Sequence, residues 1–143
     1  MTLQERFNLE IRYLEKYFPG RYAFQRLFTP DAHLIMGLRT NAGRVYKVKM
    51  VLDNFPYSNP KVYIVEPSVL YDRNGQSLSH ANWEMHLLES DYEGHIQICI
   101  YKPDMWNPNK TLYQAAVKTL VWLNAYDGHL RTGNPLDSFI RHY

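Results

Sequence analysis

The spacing of apolar residues near the start of the chain predicts a helix. Apolar residues recur there at steps of three and four, which places them on one helical face: Leu3, Phe7, Ile11, Leu14 and Phe18. Thr2 and Glu5 have the spacing of a capping box, and Pro19 with Gly20 interrupts the pattern. We therefore predict an amphipathic helix over residues 3–18. Its opposite face is predicted to be exposed and charged, with Glu5, Arg6, Glu10, Arg12, Glu15 and Lys16.

The pattern then changes to a period of two, which is typical of β-strands. Four segments show it: Tyr22 to Phe28, His33 to Arg39, Val45 to Leu52 and Val62 to Val65. In the third segment, apolar residues alternate with Lys47 and Lys49, as expected for an antiparallel sheet with one solvent-exposed face. Short turns separate neighbouring segments. We predict a four-stranded antiparallel meander in sequential order.

Regular periodicity is lost between Glu66 and about Gln97. Irregular connections of this length are uncommon in compact domains and are often functional. A second helical stripe follows, formed by Leu112, Ala116, Leu120 and Leu123, and we predict that this helix ends at Gly128. The remainder is predicted to be irregular with a short final helical turn. Strands that precede a helix, without strict alternation, indicate an α+β fold with its helices on one face of the sheet.

Composition and charge exclude several classes of protein. The chain has 143 residues, of which 45% are hydrophobic and 21% charged, so we expect one globular domain over residues 1–143. Its 16 Lys and Arg nearly balance 14 Asp and Glu, which argues against a nucleic-acid partner. Cys99 is the single cysteine, so an intrachain disulfide is excluded. The N-terminal residues do not resemble a signal peptide and no apolar run spans a membrane; we expect a cytoplasmic protein.

Three short segments carry a family resemblance. Phe55 to Tyr63 reads Phe-Pro-Tyr-Ser-Asn-Pro-Lys-Val-Tyr, Gly94 to Ile100 reads Gly-His-Ile-Gln-Ile-Cys-Ile, and Trp106 to Leu112 reads Trp-Asn-Pro-Asn-Lys-Thr-Leu. In this order they resemble the core of ubiquitin-conjugating enzymes, whose motifs are Pro-Phe-x-Pro-Pro-x-Val-x-Phe, Gly-x-Ile-Cys-Leu and Trp-x-Pro-x-x-Thr-Leu. The chain departs from the first motif at Asn59, which replaces a proline, and its second motif is two residues longer after the glycine.

A further set of residues resembles the bacterial relatives of those enzymes: His86, Cys99, Tyr101, Pro103, Trp122, Leu123, Tyr126, Thr132 and Gly133. The resemblance implies a ubiquitin-conjugating-like fold with a long active-site loop, without the usual two C-terminal helices. It also implies a role beside cyclic-oligonucleotide antiphage (CBASS) operons or bacterial ubiquitin-like pathways. The implied partners are an activating enzyme, a ubiquitin-like protein or cGAS-like nucleotidyltransferase that is transferred through its C-terminus, and a protein target. No cofactor is implied.

Cys99 is the candidate nucleophile, because a thioester transfer needs a thiolate and no other residue supplies one. By its sequence context alone, a cysteine within the apolar run Ile96 to Ile100 is more typical of a buried core residue. The resemblance favours the nucleophile, since Cys99 comes at the end of the long loop. His95 and His86, four and thirteen residues earlier, are the nearest cationic or hydrogen-bonding candidates. The resemblance implies that His86 orders the loop.

One departure from the family affects the proposed chemistry directly. Where the family has His-Pro-Asn, with the Asn amide stabilising the oxyanion, this chain has His86, Leu87 and Leu88. Another donor is then needed; the candidates are a backbone N–H or the side chains Asn82, Ser90, Asn107 and Asn109. A base that takes the proton of the attacking lysine could be Asp104, with Asp91 and Glu93 as alternatives.

Two further interpretations concern metal and partners. His80, His86, His95 and Cys99 lie within twenty residues, yet only His95 and Cys99 have a spacing close to a zinc motif, so we expect no metal. The first helix docks the activating enzyme in the family, which implies partner contacts for Arg6, Arg12 and Lys16; an ordinary solvated face explains them equally well. The alternative to a transferase is a non-catalytic protein-binding module of the same fold, which Leu88 favours.

Overall fold

The structure is a computed structural model in which residues 1–92 and 94–140 are described. Within them, two α-helices accompany one six-stranded antiparallel sheet, so the α+β class is confirmed. The helices are α1 (Leu3–Tyr17) and α2 (Leu112–Thr132). The strands are β1 (Tyr22–Gln25), β2 (His33–Arg39), β3 (Val45–Val51), β4 (Lys61–Glu66), β5 (Leu87–Leu88) and β6 (Ile96–Ile98), and their order across the sheet is β1-β2-β3-β4-β6-β5.

The first four strands form the predicted meander, each pairing antiparallel with the next. Alternation in β3 is as predicted: Tyr46, Val48 and Met50 are buried, while Lys47 lies on the other face. β1 is shorter than predicted. It ends at Gln25 because Arg26 and Phe28 have φ angles of 55° and 66°, which are incompatible with a strand.

The prediction of only four strands is wrong, because the stretch without periodicity contains two more. After β4, the chain crosses to the far edge of the sheet as β5 and returns as β6, which lies between β5 and β4. The register pairs Ile98 with both Val62 and Leu87. As a result of this crossing, Cys99 directly follows a strand that is paired on both sides.

α1 begins with the predicted capping box, in which Thr2 accepts a hydrogen bond from the N–H of Glu5 and the Glu5 carboxylate accepts one from the N–H of Thr2. Its buried face was predicted only in part. Phe7 and Leu14 are buried, but Leu3 is exposed and the Glu10 side chain is 0% exposed. The prediction of Glu10 on the charged outer face is therefore wrong, and the reason is a polar partner on α2 that is described below.

α2 is longer than predicted, because Gly128 is a helical residue and does not end the helix. A side chain at this position would meet the ring of Phe139, whose nearest carbon lies 2.9 Å from an ideal Cβ. The helix continues to Thr132 and is capped by Gly133, with a φ of 79°. The predicted final turn is present as a 3-10 helix over Leu136–Ser138. No helix in the described part of the chain is long and apolar enough to cross a membrane.

Candidate functional site

Cys99 is held by the segment that precedes β5. Its backbone N–H donates to the carbonyl of His86 at 2.9 Å, one step beyond the pairing of Ile98 with Leu87. The side chain is half-buried, and the thiol donates to the carbonyl oxygen of Tyr101 at 3.5 Å. The backbone of Cys99 is thus fixed, while the sulfur lies at the boundary between the core and the surface.

The thiol experiences two opposing electrostatic effects. Burial raises the pKa of Cys99 above its ordinary value of 9.0, because it disfavours the charged thiolate. The Lys102 ammonium acts in the opposite direction and lowers the pKa. Lys102 is held near the site by the ring of Trp83, whose centroid is 5.4 Å from its Nζ. Neither Lys102 nor Trp83 was predicted as a site residue. Lys102 could have been proposed from the sequence, because it lies only three positions after Cys99.

Replacing Lys102 with methionine is expected to slow alkylation of Cys99 by iodoacetamide about threefold at neutral pH, since a single charge near the surface contributes about 0.2–1 kcal/mol. The physical reason is that loss of the cation raises the thiol pKa further and leaves less thiolate. In a pH profile of the alkylation rate, the midpoint should lie above 9.0 in the natural protein and move higher in K102M. The matched control is Lys47→Met, an exposed lysine on β3; equal profiles for the two variants would contradict the assignment.

His86 is buried and has a left-handed backbone, with φ 55° and ψ 43°, at the end of the 3-10 helix Trp83–Met85. Its Nε2 lies 3.2 Å from a carboxylate oxygen of Asp137, and its ring is parallel to that of Trp83 at a centroid distance of 6.4 Å. Together with its carbonyl bond to Cys99, these contacts are those of a residue that orders the loop. The ordering role of His86 stays a prediction, and Asp137 was not foreseen because it lies 51 residues away in sequence.

Leu88 stands where the resemblance to ubiquitin-conjugating enzymes implies an asparagine. Its side chain is 41% exposed on β5, so no amide is present there to stabilise an oxyanion. The side-chain oxygens of Asn82 and Asn107 accept backbone N–H groups within their own turns. Ser90 has a buried hydroxyl without a hydrogen-bond partner among the described residues. Asn59, which replaces a proline of the first motif, donates from Nδ2 to the Tyr101 carbonyl at 3.1 Å.

The remaining candidate bases differ in their exposure and in their hydrogen-bond partners. Asp104 is exposed in the 3-10 helix Pro103–Met105, which follows the cysteine. The pKa of Asp91 is lowered by hydrogen bonds from Lys61 and the hydroxyl of Tyr63, which makes its carboxylate a weak base. His95 is half-buried, with its ring centroid 5.6 Å from that of Tyr92. Glu93 lies outside the described residues.

The three basic residues predicted on α1 differ in exposure. Arg12 and Lys16 are exposed as expected. Arg6 is only 13% exposed, and its guanidinium donates to the carboxylate of Glu10 at 2.8 Å and to the carbonyls of Pro108 and Lys110 at 2.5 and 2.7 Å. The exposed position predicted for Arg6 is therefore wrong, because its charge is used inside the chain. The partner contacts of Arg12 and Lys16 stay predictions.

In the described part of the chain, no three His, Cys, Asp or Glu side chains come together in a group that could hold a metal ion. In particular, the His86 ring faces Asp137 and Trp83. The chemistry available at Cys99 is therefore that of a half-buried thiol, a nearby lysine and a set of backbone carbonyls and amides.

Comparison with known proteins identifies a family. A scan against protein-family models matches residues 6–139 to the model described as Type II CBASS E2 protein. The searches of curated proteins and of solved structures each gave no match. The matched range begins within α1, at Arg6, and extends past the 3-10 helix Leu136–Ser138, with Cys99 and His86 inside it. CBASS is a bacterial antiphage defence, and family membership implies partnership with other CBASS proteins. With most of its length matched, the chain belongs to the Type II CBASS E2 family.

Proposed function

We propose that this protein is a thioester-forming transferase in antiphage defence. Its Cys99 thiolate attacks an activated C-terminal carbonyl of a passenger protein, expels the activating group and forms a thioester. An amine then attacks the thioester carbonyl, an amide forms, and the thiol is released. The passenger is a ubiquitin-like protein or a cGAS-like nucleotidyltransferase, delivered by an activating enzyme and passed to a protein target.

The placement of the one cysteine carries this proposal. Cys99 directly follows β6, its N–H donates to the His86 carbonyl and its thiol donates to the Tyr101 carbonyl. It is half-buried and within the electrostatic influence of Lys102. A hydrogen-bonded backbone, a partly exposed residue and a nearby cation are features that suit a cysteine nucleophile.

The order of elements supports a ubiquitin-conjugating-like fold as part of the same proposal. A first helix, a meander of four strands, a long connection that leads to the cysteine, and a second helix follow one another as the resemblance implies. A contact of Trp106 also supports the proposed fold. Its indole N–H donates to the carbonyl of Pro56 at 2.9 Å, which joins the first and third family motifs directly.

A non-catalytic module that binds CBASS proteins is the second candidate, and two observations favour it. Leu88 removes the family's oxyanion donor, and burial raises the thiol pKa, so that less thiolate exists at neutral pH. In this alternative, the protein recruits a partner through its surface, and Cys99 forms no covalent bond.

The two candidates differ in whether a covalent adduct forms. We expect that the protein, mixed with its CBASS passenger, the activating enzyme and ATP, gives an adduct that a thiol reductant removes. Cys99→Ser should give an adduct that resists reduction, because an oxygen ester replaces the thioester, and Cys99→Ala should give none. Because Cys99 is the only cysteine, no second thiol can replace it. Passenger that binds without any adduct in the natural protein would favour the binding module.

A further inference from the structure

We propose that the side-chain amide of Asn59 is the oxyanion donor of this protein, in the role that Leu88 cannot fill. The inference rests on the proposed function, since it concerns the transfer of an acyl group from Cys99. Asn59 comes from the connection before β4, a different part of the chain from the family's asparagine. It would be a catalytic residue, because it would contact the reacting oxygen itself.

The geometry brings the amide and the thiol to one atom. Asn59 Nδ2 donates to the carbonyl oxygen of Tyr101 at 3.1 Å, and Cys99 Sγ donates to the same oxygen at 3.5 Å. Two groups that share an acceptor are close neighbours. The carbonyl also fixes the orientation of the amide, because only its nitrogen, and not its oxygen, can face another oxygen favourably.

The amide of Asn59 has hydrogen-bonding capacity that the chain does not use. Its nitrogen carries two hydrogens, and the bond to Tyr101 uses one of them. Its oxygen Oδ1 is buried and has no hydrogen-bond partner among the described residues. The unpaired oxygen is an acceptor and cannot bind an oxyanion, so the part of the amide that matters here is the second N–H of Nδ2. An oxyanion on a carbon bonded to Sγ would accept the second N–H.

The amide oxygens of two other candidate donors, Asn82 and Asn107, are already engaged. Asn82 holds the start of the 3-10 helix Trp83–Met85, where its Oδ1 accepts the N–H groups of Glu84 and Met85. Asn107 holds the turn before α2 through the N–H of Asn109. Moving either side chain would open a turn. Asn59 needs no such movement, because its contact with the Tyr101 carbonyl already lies beside the thiol.

The step that Asn59 assists is the aminolysis of the thioester. The nitrogen lone pair of the amine forms a bond to the thioester carbon, and the π electrons of the carbonyl move to its oxygen, which becomes the oxyanion. When this intermediate collapses, the C=O bond re-forms and the C–S bond breaks. The thiolate leaves and takes up the proton that the nitrogen loses, through solvent. The N–H of Asn59 stabilises the oxyanion between these two events.

A small acyl donor tests the inference without the natural passenger. The folded protein is charged with a peptide thioester that ends in glycine and has 2-mercaptoethanesulfonate as leaving group. The acyl-protein is isolated, and its discharge by Nα-acetyl-lysine amide is followed by mass spectrometry. We expect Asn59→Leu, which matches the side chain in size, to slow discharge about 10²–10³-fold. Asn59→Ala should behave alike, and it serves as the second variant if the larger side chain prevents folding.

Two controls separate catalysis from structure. Alkylation of Cys99 by iodoacetamide passes through no oxyanion, so its rate should stay within about threefold of the natural protein in both variants, the size of a small local perturbation. Asn54→Ala removes an amide from the same connection, where it donates to Ser58 Oγ at 2.6 Å, and should discharge normally. Leu88→Asn in the Asn59→Leu background should restore discharge, because it returns a donor to the family's position.

Each outcome decides between the possibilities. Slow discharge with normal alkylation, and recovery by Leu88→Asn, supports the assignment. Discharge at the natural rate from charged Asn59→Leu and Asn59→Ala overturns it and leaves the proposed transferase standing. Equal losses in discharge and alkylation overturn it too, because they indicate a structural role. A folded natural protein that the thioester cannot charge would overturn the proposed function, and the role of Asn59 with it.

Discussion

Replacing Glu10 with alanine is expected to lower the free energy of unfolding by about 3–5 kcal/mol, the range for breaking a buried ion pair. The carboxylate is fully buried between α1 and α2. One oxygen accepts the N–H of Leu112 at 2.7 Å, and the other accepts the Nε of Arg6 at 2.8 Å. Without it, the Arg6 charge stays largely buried with no carboxylate partner, and an N–H in the first turn of α2 loses its acceptor.

The environment of Glu10 explains why the effect should be large. Burial raises the pKa of its carboxyl group, against the hydrogen bonds from Leu112 and Arg6, which lower it. The free-energy cost of burying the Glu10 carboxylate is therefore offset only while both Leu112 and Arg6 remain bonded to it. Arg6 in turn binds the carbonyls of Pro108 and Lys110, so the same network joins α1 to the segment between the cysteine and α2.

Urea unfolding followed by circular dichroism measures the change in stability. Glu10→Gln should lose less than Glu10→Ala, because its side-chain oxygen can still accept from Leu112 while the ion pair is lost. The matched control is Glu15→Ala on the same helix, where the carboxylate is exposed and accepts the hydroxyl of Tyr22. A loss for Glu10→Ala no greater than that for Glu15→Ala would contradict the buried network.

The contrast between Glu10 and its neighbours shows what the apolar pattern of a helix can predict. The period of α1, its capping box and the burial of Phe7 and Leu14 follow from local spacing. The partner of Glu10 lies 102 residues away, at the start of another helix. Local spacing contains no information on such a contact, and an acidic residue is assigned to the surface by default.

Strand length explains why the second half of the sheet was missed. The segments of β2 and β3 have seven residues each, which is enough to show alternation. β5 has two residues and β6 has three, and all three residues of β6 are buried, so no alternation exists to detect. The pairing of these short strands depends on β4 and the 3-10 helix Trp83–Met85, which sequence patterns do not bring together.

The candidate site was predicted where it depends on motifs and missed where it depends on contacts between loops. Cys99 and His86 became candidates because the family resemblance marks them. Asn59 and Asp137 lie 40 and 38 residues from Cys99 in sequence and reach the site only through the folded chain. The available signal for Asn59 was its departure from a family motif, since it replaces a proline. At Leu88 the chain lacks the amide that the family has, and at Asn59 it has an amide that the family lacks.

Replacing Trp122 with alanine is expected to cost about 3–5 kcal/mol of stability, as for other large-to-small changes of a buried aromatic residue. The side chain is 1% exposed and its ring stacks on Tyr126 at a centroid distance of 5.6 Å. Its indole N–H donates to the carbonyl of Met85 at 3.0 Å. Met85 precedes His86, whose own carbonyl binds the N–H of Cys99, so α2 supports the cysteine through two successive carbonyls.

The link from Trp122 through Met85 and His86 to Cys99 allows a local effect on the cysteine to be measured separately from a general loss of stability. Trp122→Phe keeps most of the apolar contact but leaves the Met85 carbonyl unpaired, which should cost about 1–3 kcal/mol. Both variants should also speed hydrogen exchange at the Cys99 N–H under native conditions, since His86 is less firmly held. Urea unfolding and amide exchange measure the two effects separately. Unchanged exchange at Cys99 in a destabilised Trp122→Ala would show that β6 alone holds the cysteine, because the pairing of Ile98 with Val62 would then be sufficient.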